Sequence, residues 1–199
     1  MDDESQMLER LRAGDEVAFA ELVDRYDGAL RRLARTFVKT NAAAEDVVQE
    51  TWLGVIRGLP AFEGRSSLKT WIFRILANQA RTRAVKDARN VPFSSIETDG
   101  GPTVDPSSFD GDGRWASAPE RLDADPEAAL LSAELRAELL GAVDMLPDAQ
   151  RAVITLRDLE GVPATEVAEL LDITDANQRV LLHRARAKVR AALVTEVQV

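Results

Sequence analysis

The stretch Thr174-Asp175-Ala176-Asn177-Gln178-Arg179-Val180-Leu181-Leu182-His183-Arg184-Ala185-Arg186-Ala187-Lys188-Val189-Arg190 decides how this chain is read. Between Gln178 and Arg190 every charged residue is Arg or Lys. On a helix of about 3.6 residues per turn, Leu181, Ala185, Val189 and Ala192 share an apolar face, and His183, Arg184 and Arg190 project from the remainder. Just upstream, residues 163–171 read as a short helix with Val167, Ala168, Leu170 and Leu171 inward. Asp172-Ile173 then makes a tight turn and Thr174 a cap. Short helix, tight turn and basic helix form a helix-turn-helix, whose second helix enters the DNA major groove.

Set in the whole chain, this basic helix meets an apparent contradiction, because the formal net charge is −9 and phosphate neutralisation needs Lys and Arg. Counting by segment removes it. Residues 1–89 carry 15 basic and 14 acidic side chains, residues 90–126 carry 2 and 8, and residues 127–199 carry 8 and 12. The acid excess is largest in the middle, and residues 69–89 hold Lys69, Arg74, Arg81, Arg83, Lys86 and Arg89 against Asp87 alone. Two basic helical patches, one in each half, are thus separated by an acidic spacer.

The upstream half is helical throughout. Met7, Leu8 and Leu11 mark a first helix, and Gly14-Asp15 stops it and caps the next. Phe19, Leu22, Val23, Tyr26, Leu30, Leu33, Ala34 and Phe37 recur at three and four residues, predicting a long helix over 16–38. A third helix over 42–59 places Val48, Trp52, Val55, Ile56 and Leu59 inward. Asp46, Gln49, Glu50, Leu53 and Arg57 share its other face, so Leu53 is exposed among polar neighbours and marks either a protein-contact patch or a solvated surface. After the loop 59–67, a helix over 68–88 buries Leu68, Trp71, Ile72, Ile75 and Leu76 and presents Lys69, Arg74, Asn78, Arg81 and Arg83. Trp71 and Phe73 read as core; the alternative is stacking on unpaired bases beside those cations.

Residues 90–125 are rich in Gly, Pro, Ser and Asp and show neither period 2 nor period 3.6, which predicts a linker without a core. Phe93, Ile96, Phe109 and Trp115 are its large apolar groups, as anchors on a partner or as loose packing. Pro126 opens a helix to about residue 145, and another spans 148–158. The fold class is therefore all-α, with two small helical domains over 1–89 and 127–199 joined by a flexible acidic linker at 90–126.

Catalytic chemistry finds little support. There is no cysteine, which removes disulfides and thiolate chemistry and suits a reducing cytoplasm. His183 is the one histidine and has no acid close in sequence. Gly64-Arg65-Ser66-Ser67 lacks the second Gly, Lys and hydroxyl of a phosphate loop, and Glu45, Asp46 and Glu50 lack the companion His of a bundle metal site. No cofactor or metal is expected. No apolar run approaches the roughly 18 residues of a membrane span, and the acidic start is unlike a signal peptide, so the reading is of a cytoplasmic protein without membrane insertion.

These features together resemble a bacterial RNA polymerase sigma factor of the extracytoplasmic-function (ECF) group, which has only regions 2 and 4. The upstream resemblance rests on Ala18-Phe19-x-x-Leu22 with Tyr26, on residues 44–50 (Ala-Glu-Asp-Val-Val-Gln-Glu), and on Leu68-x-Thr70-Trp71-Ile72-Phe73-Arg74-Ile75-x-x-Asn78. The downstream resemblance rests on Leu146-Pro147-x-x-x-Arg151, on Glu166-Val167-Ala168-Glu169-Leu170-Leu171, and on His183-Arg184-Ala185-Arg186.

The resemblance implies roles. Asp46, Gln49, Glu50 and Leu53 would dock on the clamp helices of the β′ subunit of core RNA polymerase, and region 4 on the β flap. Phe62, Arg65, Ser67, Lys69, Trp71, Arg74, Asn78 and Arg81 would melt and capture the −10 element of promoter DNA. Asn177, Arg179, Val180, His183, Arg184 and Arg186 would face the −35 element. The linker would thread the polymerase cleft, as a nucleic-acid mimic or a plain tether, and an anti-sigma factor is a further expected partner. Two positions depart from the family pattern. Asp172 stands where a turn glycine is usual, and Ala176-Asn177-Gln178-Arg179-Val180-Leu181 replaces the common Gly-Thr-Val-Lys-Ser-Arg, implying a divergent −35 preference. The competing readings are a DNA-binding regulator with a sensing or dimerisation domain over 1–125, and a protein-binding adaptor.

Overall fold

A computed structural model describes residues 3–86 and 126–196, with side chains over 4–86 and 135–193. Within these residues the elements are α1 (Asp3–Arg12), α2 (Glu16–Ala34), α3 (Asn41–Gly58), a 3-10 turn (Leu59–Ala61), α4 (Leu68–Lys86), α5 (Pro126–Asp144), α6 (Asp148–Ile154), a π turn (Thr155–Leu159), α7 (Ala164–Leu171) and α8 (Asp175–Glu196). The all-helical expectation is met, with α1–α4 and α5–α8 as the two units. The acidic stretch 90–125 and its four large apolar residues lie outside the described residues.

Caps set the helix starts. The Asp15 carboxylate accepts the Val17 and Ala18 N–H at 2.9 and 3.1 Å, Thr40 Oγ1 accepts Ala43 N–H at 3.1 Å, and Ser67 Oγ accepts Thr70 N–H at 3.1 Å. Each satisfies a donor that the first helical turn leaves unpaired. Helix α2 ends at Ala34, four residues short of the predicted end, because the chain tightens there: Thr36 N–H and Phe37 N–H reach back three residues to Leu33 and Ala34 carbonyls, and Thr36 Oγ1 also donates to Leu33 O at 2.7 Å.

The first unit closes around α4. Ile72, Phe73, Leu76 and Ala80 are 0% exposed and meet Leu30 and Leu33 of α2 and Val47 and Val55 of α3. Tyr26 sits edge-on to Phe73, centroids 6.4 Å apart, and Phe19 edge-on to Trp52 at 5.8 Å. Burial raises the Tyr26 phenol pKa. Two glycines of α3 let α4 approach: a Cβ on Gly54 would stand 3.0 Å from Ile75 Cγ2, and one on Gly58 2.9 Å from Trp71 Cζ2. Replacing Gly58 with Val should therefore displace Trp71 and cost about 1–3 kcal/mol of overpacking. The check is a lowered urea midpoint with a shifted tryptophan emission.

Asp15 also carries an acid dependence. Hydrogen bonding to Arg10, at 2.7 Å, is the largest influence holding its carboxyl below the ordinary 3.8, followed by the Ala18 N–H. A lowered native pKa stabilises the fold above the unfolded value, and this contribution is lost as pH falls through 3.8 toward the native value. Asp15→Asn keeps a capping oxygen and removes the titration. The variant should lose less stability between pH 7 and the acid limb than wild type, measured by chemical denaturation at each pH.

The second unit packs α5, α6 and α7 on α8, with Val143, Val153, Leu156, Val167, Leu171 and Ala185 at its centre. The predicted helix over 148–158 is α6 followed by a π turn, in which Glu160 N–H bonds Thr155 O at 3.0 Å. Asp172 adopts the left-handed conformation (φ 56, ψ 48) that the turn demands, the sole non-glycine with positive φ among the described residues. Its N–H and that of Ile173 satisfy the Glu169 and Ala168 carbonyls that end α7. Thr174 then caps α8 through Asn177 N–H at 3.2 Å.

Five side-chain orientations in α3 and α8 differ from the sequence reading. Ile56 is 52% exposed rather than inward, because Val55 already fills the seam between α3 and α4. Ala192 is exposed, lying past the part of α8 that the other helices cover. Gln178, Leu182 and Ala187 are buried as well as the predicted face, since α8 is contacted by three helices rather than one.

Candidate polymerase and promoter interfaces

Three exposed faces follow from this packing. The first is on α3, where Asp46, Gln49, Glu50 and Leu53 all point to solvent. Leu53 is 52% exposed and is joined by Ile56, three residues on, so the polar rim surrounds an apolar pair rather than a single leucine. Asp46 is not unengaged: Arg83 of α4 lies 3.3 Å away. The sequence offered one signal for Ile56, its position at i+3 from Leu53 and i+7 from Gln49, which the apolar count of the opposite face outweighed.

The second face belongs to α4 and the loop before it. Arg65, Ser67, Arg74 and Asn78 are exposed, and Lys69, Trp71 and Arg81 partly so. Arg65 pairs with Glu63 at 2.9 Å in open solvent. Phe62 requires a correction. It is 7% exposed and packs against Trp71 with centroids 4.8 Å apart, while its carbonyl accepts from Arg12; it is a wedge of the core under the loop with little surface left to solvent. Trp71 keeps one edge outward and rests its other side on Phe62 and Gly58. The core reading of the aromatics holds for Phe73, which is fully buried, and for the side of Trp71 that meets Phe62 and Gly58.

The third face is the start of α8. Arg179 is exposed, Val180 is 43% exposed, and Asn177, His183 and Arg184 are partly exposed. Arg186 is the second correction. It is 6% exposed and forms a two-pronged bridge to Asp158, Nε and Nη2 each 2.7 Å from the carboxylate. The π turn delivers Asp158 to this spot, so Arg186 ties α8 to the end of α6 and is turned inward instead of to the exposed side of α8. Its place in a run of cations hid this, because the partner lies 28 residues upstream.

Region by region, the cations of α4 meet the second unit. Lys69 Nζ donates to Glu160 O, Arg74 lies 3.1 Å from Glu169 of α7, and Arg81 donates to Leu170 O. Burial lowers the Arg81 pKa, partly offset by Asp172. Burial likewise raises the Glu160 carboxyl, against the pull of Lys69, Arg136 and Arg32. On the far side Asp144 of α5 receives Arg32 at 2.8 Å and Arg35 at 3.7 Å.

With the geometry defined, known proteins give it a family. Residues 22–90 match the model for Sigma-70 region 2, and residues 136–189 match Sigma-70, region 4. The ECF RNA polymerase sigma-E factor of Escherichia coli K12 is 31% identical over 183 residues, covering 92% of this chain and 90% of that protein. The RNA polymerase sigma-H factor of Pseudomonas aeruginosa is 31% identical over 192 residues, covering 96% and 94%.

Among solved structures, CnrH in complex with the cytosolic domain of CnrY shares the fold with a TM-score of 0.51 and 24% identity, over 98% of this chain and 99% of that one. The sigma factor RpoE of Bartonella quintana, solved with the anti-sigma factor NepR, does so with a TM-score of 0.51 and 23% identity, over 88% and 96%. The chain belongs to the ECF group of RNA polymerase sigma factors, the subunits that direct polymerase to promoters. Among the described residues no helix is long and apolar enough to cross a membrane.

Proposed function

We propose that this sigma factor, acting in the cytoplasm, works through three separate faces on two domains, taken as residues 1–89 and 127–199. The face Asp46, Gln49, Glu50 and Leu53, extended by Ile56, docks on the β′ clamp helices. The face Arg65, Ser67, Lys69, Trp71, Arg74, Asn78 and Arg81 takes the melted −10 strand. Asn177, Arg179, Val180, His183 and Arg184 read the −35 duplex, while region 4 rests on the β flap. The observation that carries this reading is the apolar pair Leu53 and Ile56, exposed inside a polar rim on the helix beside cationic α4.

The mechanism uses binding energy alone, without catalysis or a cofactor. Unstacking a base costs a few kcal/mol, and cationic and stacking contacts to the extruded strand offset it. In the major groove, Arg179 and Asn177 have the donor and acceptor sets for bidentate base contacts. Binding to promoter DNA by holoenzyme tests this directly. Fragments selected from a random library by the reconstituted holoenzyme should share two sequence blocks at fixed spacing. Arg184→Ala should relax selection in the upstream block only; fragments without a common upstream block would refute the assignment of α8.

A further inference from the structure

The loop over residues 62–67 carries Arg65 and Ser67 of the −10 face, and helix α1 holds it at both stems. At its start the Phe62 carbonyl accepts from the Arg12 guanidinium, and at its end the Leu68 N–H donates to the Glu4 carboxylate. Glu4 and Arg12 lie near the two ends of α1 (Asp3–Arg12), so a single helix spans the loop.

Helix α1 is itself fixed independently of these contacts. Leu11 is 6% exposed in the core, with Met7 and Leu8 packed beside it, and Arg10 bridges Asp15 at 2.7 Å and Glu21 at 3.1 Å. It therefore acts as a strut on α2, from which Glu4 and Arg12 reach to the loop. The stems are also tied to α4, since Phe62 rests on Trp71 and Ser67 Oγ accepts the Thr70 N–H at 3.1 Å. Between the stems the chain turns outward through Gly64 at φ 71, and the Arg65 side chain is 86% exposed.

Ordering an exposed loop on a ligand costs backbone entropy for every residue fixed, and restricting it beforehand lowers that cost. Glu4 suits the far stem. The Leu68 N–H is one of the donors that the first turn of α4 leaves unpaired, and a carboxylate is favoured at the positive end of a helix.

We infer that Glu4 and Arg12 are positioning residues for promoter melting: from α1 they hold the 62–67 loop in the shape that takes the −10 strand. The inference rests on the assignment of that loop to the −10 strand. Neither residue belongs to the stretch 22–90 that matches region 2, and their partners lie 64 and 50 residues along the chain. If releasing both ties leaves about one loop in ten in the productive shape, strand capture weakens about ten-fold.

Promoter opening by holoenzyme, read by permanganate reactivity, tests this. Glu4→Ala with Arg12→Ala should lower opening about ten-fold while core affinity and selection of the upstream block stay unchanged. A fall in all three together is the mark of a folding lesion and overturns positioning. Glu4→Gln, which keeps an oxygen acceptor for the Leu68 N–H, should retain more opening than Glu4→Ala; equal losses overturn the role of Glu4. Glu9→Ala, a carboxylate lost elsewhere on α1, should have no effect.

The absence of cysteine lets a spin label on Ser66→Cys report the loop in the free full chain. Its lines should narrow in the double alanine variant as the loop moves faster, and unchanged lines overturn the clamp. Arg65→Glu in holoenzyme reads the −10 assignment separately. Undiminished opening by Arg65→Glu, with narrowed lines in the double variant, overturns the proposal through that assignment. Undiminished opening by the double variant, with Arg65→Glu impaired, overturns it through α1.

Discussion

Leu53→Asp is expected to abolish stable assembly with core polymerase while leaving the fold unchanged. Leu53 is 52% exposed, so a carboxylate there remains hydrated in the free protein and surface changes of this kind leave stability within about 0.5 kcal/mol. On docking, the same carboxylate would be stripped of water among apolar contacts. A central apolar anchor contributes about 2 kcal/mol or more, which is roughly a thirty-fold loss of affinity or greater. Asp46→Arg is a second probe of the same face with a less clean reading, since it also sets two arginines together at Arg83. Wild-type affinity of Leu53→Asp for core, with unchanged circular dichroism, would remove α3 from the interface.

Arg186→Ala is expected to destabilise the second domain and Arg184→Ala to leave it intact, although the two cations are neighbours in one basic run. Removing Arg186 strands Asp158. Breaking a fully buried pair costs about 3–5 kcal/mol, and because the Asp158 side chain is 24% exposed, water reduces this to about 2 kcal/mol. The domain should melt several degrees lower by calorimetry. Arg184, partly exposed on the outward side of α8, should instead show wild-type melting and weakened discrimination at −35. If Arg186→Ala melted normally and lost −35 recognition, the assignment of Arg186 to the core bridge would be wrong.

These two arginines show what the sequence made legible. Helix content, caps at Asp15 and Thr174, and the tight turn at Asp172 are local features, set within a few residues, and they could be read directly. The outward direction of Asp46, Gln49, Glu50 and Leu53 could also be read, because helical periodicity fixes which residues share a face. Phe62, Ile56 and Arg186 were misplaced for one common reason. Each orientation is decided by a residue distant in sequence: Trp71 and Arg12 for Phe62, the α4 seam for Ile56, and Asp158 on a π turn for Arg186. Charge alone cannot separate a cation that faces phosphate from one that faces a carboxylate in the core. The engagement of Lys69 by Glu160, and of Arg74 and Arg81 by α7, was beyond the sequence for the same reason, since their partners lie 89–95 residues away.

The most direct test of the central claim is run-off transcription with purified core polymerase on a template carrying a promoter selected by the holoenzyme. Wild-type factor should yield one transcript of defined length. Leu53→Asp should yield none, and Arg184→Ala should yield less in proportion to the strength of the upstream block. A core preparation that forms no complex with the wild-type factor, and gives no promoter-dependent transcript when supplied with it, would contradict the account.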